Sequence, residues 1–197
     1  QELLFDGQFR RVDVSKSRQQ EEVWADLKAQ FSACVFGAKQ IDTLVDFLGL
    51  SVFSGQLQAI QDHAERVACR WIETNEGVYQ AGEWLDASKE EIGIAVELTV
   101  SASSAQIKLQ ANPSSGNLNT PEAVVRAALL YVLRGLVHEE MPLNSGFLRP
   151  WRFELNQGGL FNPSFPKAVV AGNVETSQRI VDAIVRALGV QAASQGT

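Results

Sequence analysis

The polar residues best placed for binding chemistry follow a short apolar run near the end of the chain. Ala168 to Ala171 is predicted as a buried strand that Gly172 ends, and Asn173 is predicted to cap a helix with Ile180 and Leu188 on its apolar face. Free backbone N–H groups at a helix N-terminus attract anions and polar ligands. The alternative is that Asn173 only caps the helix and Glu175 only complements its dipole. The candidate binding residues of this first turn are Asn173, Glu175, Thr176 and Gln178.

A second candidate lies upstream, between two prolines. Asn144 and Arg149 could place an amide and a guanidinium over a ligand, since both groups donate hydrogen bonds to oxygen atoms. A plain turn with a surface arginine fits the same residues. Asn144 and Arg149 are therefore the second choice for a binding role.

Common catalytic signatures are absent from the sequence. It has no GxxxxGK phosphate loop, no GxGxxG, no GxSxG and no HExxH. His63 and His138 have no metal-ligand spacing, so we expect no metal site within this chain. Cys34 and Cys69 lie in apolar helical patterns and are predicted to be buried, reduced thiols. Any nucleotide chemistry must then come from another region or another chain.

The composition excludes several classes of partner. The chain has 197 residues, of which 45% are hydrophobic and 20% charged, as in ordinary folded proteins. A net charge of -6 without long basic runs argues against nucleic acid as a partner. We find no apolar run of about 18 residues, so no membrane span is predicted, and the N-terminus does not resemble a signal peptide. The expected location is therefore cytoplasmic.

Two long helices are predicted at the start of the chain. Apolar residues recur at steps of three or four from Trp24 to Leu48, and again from Phe53 to Trp71. A connection of about five residues predicts that the helices pack antiparallel as a hairpin. In that arrangement the apolar faces bury each other and need no partner protein.

The sequence after the two long helices predicts a sheet and two further helices. Alternating residues indicate strands over Val78–Leu85, Ile92–Val100 and Ile107–Ala111, the last two forming an antiparallel pair. Thr120 is predicted to cap a helix that runs to Leu136, and the proline-rich stretch from Met141 to Pro166 is predicted to be extended and turn-rich. We predict an α+β fold with a mixed, partly antiparallel sheet. It forms a single unit over 1–197, with the helical hairpin at 20–75 and the sheet and helices at 76–190.

Three stretches of the sequence resemble the hydantoinase B/oxoprolinase family. They are Pro142 to Pro150 (PLNSGFLRP), Gly158 to Pro166 (GGLFNPSFP) and Ala168 to Ile180 (AVVAGNVETSQRI). The helix around Asp26 and the position of Asn119 also resemble the family's pattern. Leu109 to Gly116 departs from the family's Asp-Phe-Ser/Thr-Gly pattern and lacks its carboxylate, which puts any role for that loop in doubt.

The resemblance implies a B-type subunit of an ATP-dependent enzyme that opens cyclic amides such as 5-oxoproline and hydantoins. It works in a hetero-oligomer with an A-type subunit, which binds ATP and Mg. Family members are much longer, so the chain is expected to be a central segment that is inactive alone, with the divalent metal of the family bound N-terminal to it.

Two alternatives remain open at this stage. The first is an ATP-dependent ketone carboxylase subunit, and the second is a non-catalytic assembly module. Under the hydrolase hypothesis, the pocket or its support includes Asn173, Glu175, Thr176 and Gln178, with Asn144 and Arg149 as second choices.

Overall fold

The computed structural model describes residues 4–5, 8–9, 18–87, 90–111 and 116–190. The chain divides into two compact units, Gln1–Leu57 and Gln58–Thr197. The boundary between them lies inside the second long helix. The organisation as a single unit over 1–197 stays a prediction.

The first unit contains a short β-hairpin and the first long helix. Strand β1 (Leu4–Phe5) pairs antiparallel with β2 (Gln8–Phe9), and helix α1 spans Gln20–Leu48. Gly49, at φ 80°, ends α1, because a positive φ suits glycine and cannot continue a right-handed helix. Helix α2 (Leu50–Thr74) begins at the next residue. The predicted helical pair is confirmed, but the connection is one residue instead of about five.

The two helices differ in how much of their apolar surface is covered. None of the residues of α1 is buried, whereas Ala64, Val67, Ala68 and Ile72 of α2 are. The expectation that α1 buries its apolar face, and that Cys34 is a buried thiol, is therefore wrong for the described residues. Periodicity identifies the side chains that share a face but not what covers that face. Cys69 is free and half-buried, and its burial raises the pKa of its thiol.

Neither long helix reaches the length and apolarity of a membrane span by itself. Within the described ranges no single helix meets both criteria. Helices α1 and α2 meet them only when they are counted together across the bend at Gly49.

A four-stranded sheet forms the centre of the second unit. Its order is β3 (Gly77–Ala87), β4 (Glu90–Ser101), β5 (Ser104–Ala111) and β6 (Trp151–Leu155). The first three strands pair antiparallel, while β6 lies parallel to β5 with Ile107 opposite Phe153. The predicted mixed, partly antiparallel sheet is confirmed.

Helices cover one face of this sheet. Helix α4 (Ser177–Leu188) contacts β3, β4 and helix α3 (Glu122–Leu136). Alternate residues of β4 from Ile92 to Val100 point into this core, because successive side chains of a strand lie on opposite faces. Gly189 ends α4 in a left-handed conformation.

Two local predictions near α3 and α4 are wrong. Ala168 to Val170 form no strand and are exposed. Thr120 does not cap α3, since Pro121 holds the N-cap position without a side-chain hydrogen bond. The hydroxyl of Thr120 is buried and instead donates to backbone carbonyls of Leu118 and Gly172. Contacts with other loops determine both the conformation of Ala168 to Val170 and the role of the Thr120 hydroxyl.

The region from Met141 to Pro166 is largely irregular, as predicted, but includes two regular elements. A 3-10 turn covers Ser145–Leu148, and β6 follows it directly. Strand β6 is short and its partner β5 lies about 45 residues earlier, so no hairpin signal marks it in the sequence.

Candidate functional site

The segment before α4 is a wide helical turn held by the loop before α3. Residues Gly172–Thr176 form a π-helical turn that leads into α4. The buried hydroxyl of Thr176 donates to the carbonyl of Leu118 at 2.6 Å, and the Ala171 N–H donates to the carbonyl of Asn117 at 3.1 Å. We call residues 116–120 and 168–178, with the loop at 158–163, the junction.

Asn119 links three parts of the junction. Its side-chain amide donates to the carbonyls of Gly116 at 2.8 Å and Ala168 at 2.9 Å. Next to it, the N–H of Thr120 donates to the carbonyl of Leu160 at 2.6 Å. The Oδ1 atom of Asn119 is buried and accepts no hydrogen bond from the part of the chain that the structure describes. Segments distant in sequence therefore meet around one buried amide.

Gly172 lets its own backbone lie very close to the backbone of Asn119. A Cβ atom at this position would lie 2.0 Å from the backbone oxygen of Asn119 and 2.8 Å from the hydroxyl oxygen of Thr120. No Cβ fits at such a separation, so the two backbones can meet only at glycine.

The predicted residues of the first turn divide into exposed and buried ones. Asn173 and Glu175 are exposed, Gln178 is half-buried and Thr176 is fully buried. The first two side chains are open to solvent, while Thr176 supports the turn. The π-helical turn is a common feature of functional sites in other helices.

Backbone hydrogen bonds occupy several N–H groups that were expected to be free to attract an anion. The N–H groups of Gly172, Val174 and Glu175 donate to carbonyls of Val169 or Ala171. Asn173 lies inside the turn and does not cap a helix, since Ala171 holds the N-cap position. The predicted row of free N–H donors is therefore absent at these positions.

Asn144 and Arg149 contact α2 instead of the junction. The Asn144 side chain donates to the carbonyls of Ile60 at 3.4 Å and Pro142 at 2.9 Å, and accepts from the Gly146 N–H at 2.8 Å. A Cβ atom at Gly146 would lie 2.1 Å from the backbone oxygen of Gln61, so this loop also sits directly on backbone. Asn144 thus positions the loop on α2.

Arg149 is fully engaged by polar residues of α2. Its guanidinium donates to Asp62 at 2.8 Å, to Glu65 at 2.8 Å and to the side-chain oxygen of Gln61 at 2.5 Å. The hydrogen bond from Arg149 lowers the pKa of Asp62, and a further bond from Gln58 acts in the same direction. These contacts hold Arg149 on α2, and its role in ligand binding stays a prediction.

We expect Arg149→Gln to raise the pKa of Asp62 towards its ordinary value of 3.8, although Gln58 still lowers it. An Asp with a lowered folded-state pKa stabilises the fold above its unfolded-state pKa, and this contribution disappears as the pH falls through the folded-state pKa. The stability difference between wild type and Arg149→Gln is therefore largest near pH 6 and narrows below pH 4. Carboxyl NMR titration and urea unfolding at several pH values measure both effects.

Arg66→Gln is the matched control, because Arg66 acts on Asp62 only through a weak charge interaction. An Asp62 pKa that is the same in wild type and in Arg149→Gln would contradict the assignment.

The described residues offer few other ligand sites. They contain no group of three or more His, Cys, Asp or Glu side chains that could hold a metal ion. An apolar groove of about 730 Å³ between α3 and α4 is lined by residues such as Tyr131, Leu143 and Val185, and by none of the predicted site residues.

Sequence reasoning did not select Asn119, Thr120 or Gly172 as site residues. The available signal was the family resemblance, which includes Asn119 and Gly172. Their roles depend on contacts over about 50 residues of sequence, such as that between Asn119 and Ala168.

The sequence is similar to those of known proteins. The hydantoinase B/oxoprolinase family profile matches residues 6–197. A 5-oxoprolinase of Dictyostelium discoideum is 33% identical over 98% of this chain and 16% of its own length. A 5-oxoprolinase of Saccharomyces cerevisiae is 34% identical over 92% of this chain and 15% of its own length.

A solved structure is also similar. The ATP-dependent caprolactamase from Pseudomonas jessenii matches with a TM-score of 0.72 and 21% identity, over 91% of this chain and 34% of that one. This likeness supports the fold. The chain spans about one sixth of the length of the curated 5-oxoprolinases that it matches.

Proposed function

The chain belongs to the hydantoinase B/oxoprolinase family, and on that premise we propose that it is part of an ATP-dependent hydrolase of cyclic amides. The substrate would be 5-oxoproline or a hydantoin-like ring. An A-type partner would bind ATP and Mg, and a divalent metal would be bound outside this chain. ATP would supply the phosphoryl group that activates the ring.

The junction is the observation that carries this proposal for the chain's own residues. The stretches at 158–166 and 168–180, which carry the family resemblance, meet there around Asn119. Buried contacts hold the backbone of the turn, while the side chains of Asn173 and Glu175 remain exposed. Such a division between a rigid support and exposed polar groups is suited to binding a small polar molecule.

The two exposed side chains match the hydrogen-bonding groups of a cyclic amide. The ring presents a carbonyl acceptor and an N–H donor. The Asn173 amide can donate to the carbonyl, and the Glu175 carboxylate can accept from the N–H. Thr176 and Gln178 would support the turn without touching the ring.

The proposal is tested with the double variant Asn173→Ala/Glu175→Ala of the complete enzyme, assembled with its A-type partner. Loss of two hydrogen bonds to the ring, one of them to a charged group, is expected to lower kcat/KM roughly a hundredfold. Ring opening and ATP hydrolysis are followed with 5-oxoproline and with hydantoin. Because both side chains are exposed, the unfolding midpoint should stay close to that of wild type.

Glu73→Ala, on an exposed position of α2, is the control and should leave turnover unchanged. Wild-type turnover in the double variant would remove both residues from the site. A bicarbonate-dependent, carboxylated product would instead identify a ketone carboxylase. Partner binding without any turnover would identify an assembly module.

A further inference from the structure

One face of the sheet in the second unit is open to solvent. Glu83 of β3 pairs with Arg186 on α4, and alternate residues of β4 from Ile92 to Val100 are buried, so these side chains face the helices. Successive side chains of a strand lie on opposite faces, and the residues between them therefore point away from the helices. We call that surface the outer face. On β3 and β4 it consists of Gly82, Trp84, Asp86, Glu91, Gly93 and Ala95.

Trp84 lies on the outer face instead of in the core. It is 63% exposed, although tryptophan is usually a largely buried residue. Gly93 is the residue opposite it on β4, and a Cβ atom there would lie 3.2 Å from Cζ3 and 3.5 Å from Cη2 of the indole. Because glycine has no side chain, the indole ring can rest against the backbone of β4. Much of the ring remains accessible to a ligand.

Two carboxylates lie on one side of the indole. Asp86 follows Trp84 by two residues on β3, Glu91 precedes Gly93 by two residues on β4, and the two acids are directly opposite in the register. Both are exposed, and neither forms an ion pair within residues 18–87, 90–111 and 116–190. Like charges directly opposite each other destabilise a pair of strands. A cation bound between them would relieve this repulsion.

A shallow depression of about 410 Å³ lies on the other side of the indole. Gly82 and Ala95, the next opposed pair along the strands, line it, and their small size leaves the sheet surface open to an approaching chain. Lys108 also lines the depression, and its ammonium group pairs with Glu154 at 2.9 Å. The outer face thus combines an accessible indole, two opposed carboxylates and adjacent space.

We propose that the outer face binds a basic segment of a partner protein, with an arginine side chain stacked on Trp84 and paired with Asp86 and Glu91. A guanidinium group fits this arrangement because it stacks on aromatic rings and donates to carboxylates through a planar set of N–H groups. The ammonium group of lysine is a compact point charge and lacks this planar fork. The depression beside the indole accommodates the neighbouring residues of the segment.

Peptide titration of the full chain tests the proposal. The probe is the peptide acetyl-Gly-Arg-Gly-Arg-Gly-amide, and its matched control carries citrulline, which has a similar shape but no charge, at both arginine positions. NMR at low salt follows the backbone amides of β3 and β4. The arginine peptide should shift the amides around Trp84 and Glu91 and bind at least tenfold more tightly than the citrulline peptide. Equal dissociation constants for the two peptides, or no shift with the arginine peptide, would overturn the proposal.

Two variants separate the aromatic contribution from the ionic one. Trp84→Leu removes the aromatic ring, and Asp86→Asn/Glu91→Gln removes both charges at nearly constant side-chain size. Each should raise the dissociation constant of the arginine peptide roughly tenfold. All three positions are exposed, so the unfolding midpoint should stay close to that of wild type. A wild-type constant in either variant would remove the altered group from the site.

Glu73→Gln/Glu76→Gln is the matched control, because it removes the same charge at two exposed positions just before β3, at the end of the strand far from Trp84. It should leave the dissociation constant unchanged. An increase as large as that of Asp86→Asn/Glu91→Gln would reduce the effect to net charge and would contradict a specific site.

The same spectra identify a different occupant of the outer face. Without peptide, the amide shifts around Trp84 should not depend on protein concentration. Shifts that grow with protein concentration in wild type, and are absent in Trp84→Leu, would assign the outer face to a second copy of the chain and overturn the proposal.

Discussion

Gly172→Ala is expected to destabilise the second unit by about 3 kcal/mol or more, because the added methyl group has no space. It would lie 2.0 Å from the backbone oxygen of Asn119 and 2.7 Å from its backbone carbon. Both atoms belong to the main chain, so no side-chain rotation relieves the overlap. The loop before α3 must separate from the turn before α4, and the hydrogen bond from Thr176 to Leu118 would be lost with it. Urea unfolding followed by circular dichroism measures the change.

Gly135→Ala provides the control for this prediction. Gly135 lies in α3 of the same unit, and a Cβ atom there would meet nothing within 4 Å. Alanine is the better helix former by about 1 kcal/mol, so this variant should be as stable as wild type or slightly more so. Equal losses in the two variants would show that the close approach at Gly172 does not limit stability.

Arg186→Met is expected to destabilise the second unit by about 3 kcal/mol, because it leaves a buried carboxylate without its counter-charge. The Glu83 side chain on β3 is only 8% exposed, and the Arg186 guanidinium on α4 lies 2.6 Å from its Oε1 atom. This pair connects α4 to the sheet. The methionine keeps the apolar part of the side chain, so the loss reports on the charge rather than on packing. Urea unfolding at neutral pH measures it.

A second substitution and a control complete this experiment. Glu83→Gln in the Arg186→Met background removes the uncompensated charge and should recover most of the lost stability. Arg70→Met breaks a pair with Glu139 in which both side chains are nearly half exposed, so it should cost less than about 1 kcal/mol. An Arg186→Met loss no greater than that of Arg70→Met would contradict a structural role for the Glu83–Arg186 pair.

The regular elements could be predicted because their signals are local. The alternation from Ile92 to Val100 identifies β4, and the heptad steps from Trp24 to Leu48 identify α1. The short strand β6 escapes this reasoning, since its partner β5 is distant in sequence and the pairing is parallel. Ala168 to Val170 have strand composition but are exposed coil, in which the carbonyl of Ala168 accepts from the Asn119 amide and that of Val169 from the Gly172 N–H.

The candidate site was predictable in composition but not in arrangement. Asn173 and Glu175 are exposed at the turn, as a binding role requires, whereas Thr176 is buried and Arg149 is bound to Asp62, Glu65 and Gln61. Whether a polar side chain faces solvent or another chain segment depends on long-range packing. The local sequence does not specify that packing. The central role of Asn119 arises entirely from such contacts.

By itself the sequence determined the helices, most strands, the acidic charge and the family, because each depends on residue order over short stretches. Only the tertiary structure decided which polar groups are available. It placed Gly172 against Asn119, held Arg149 on α2 and left no described residue of α1 fully buried. The physical reason is that burial and hydrogen bonding are properties of segments brought together from far apart, and they override the preference of any single residue.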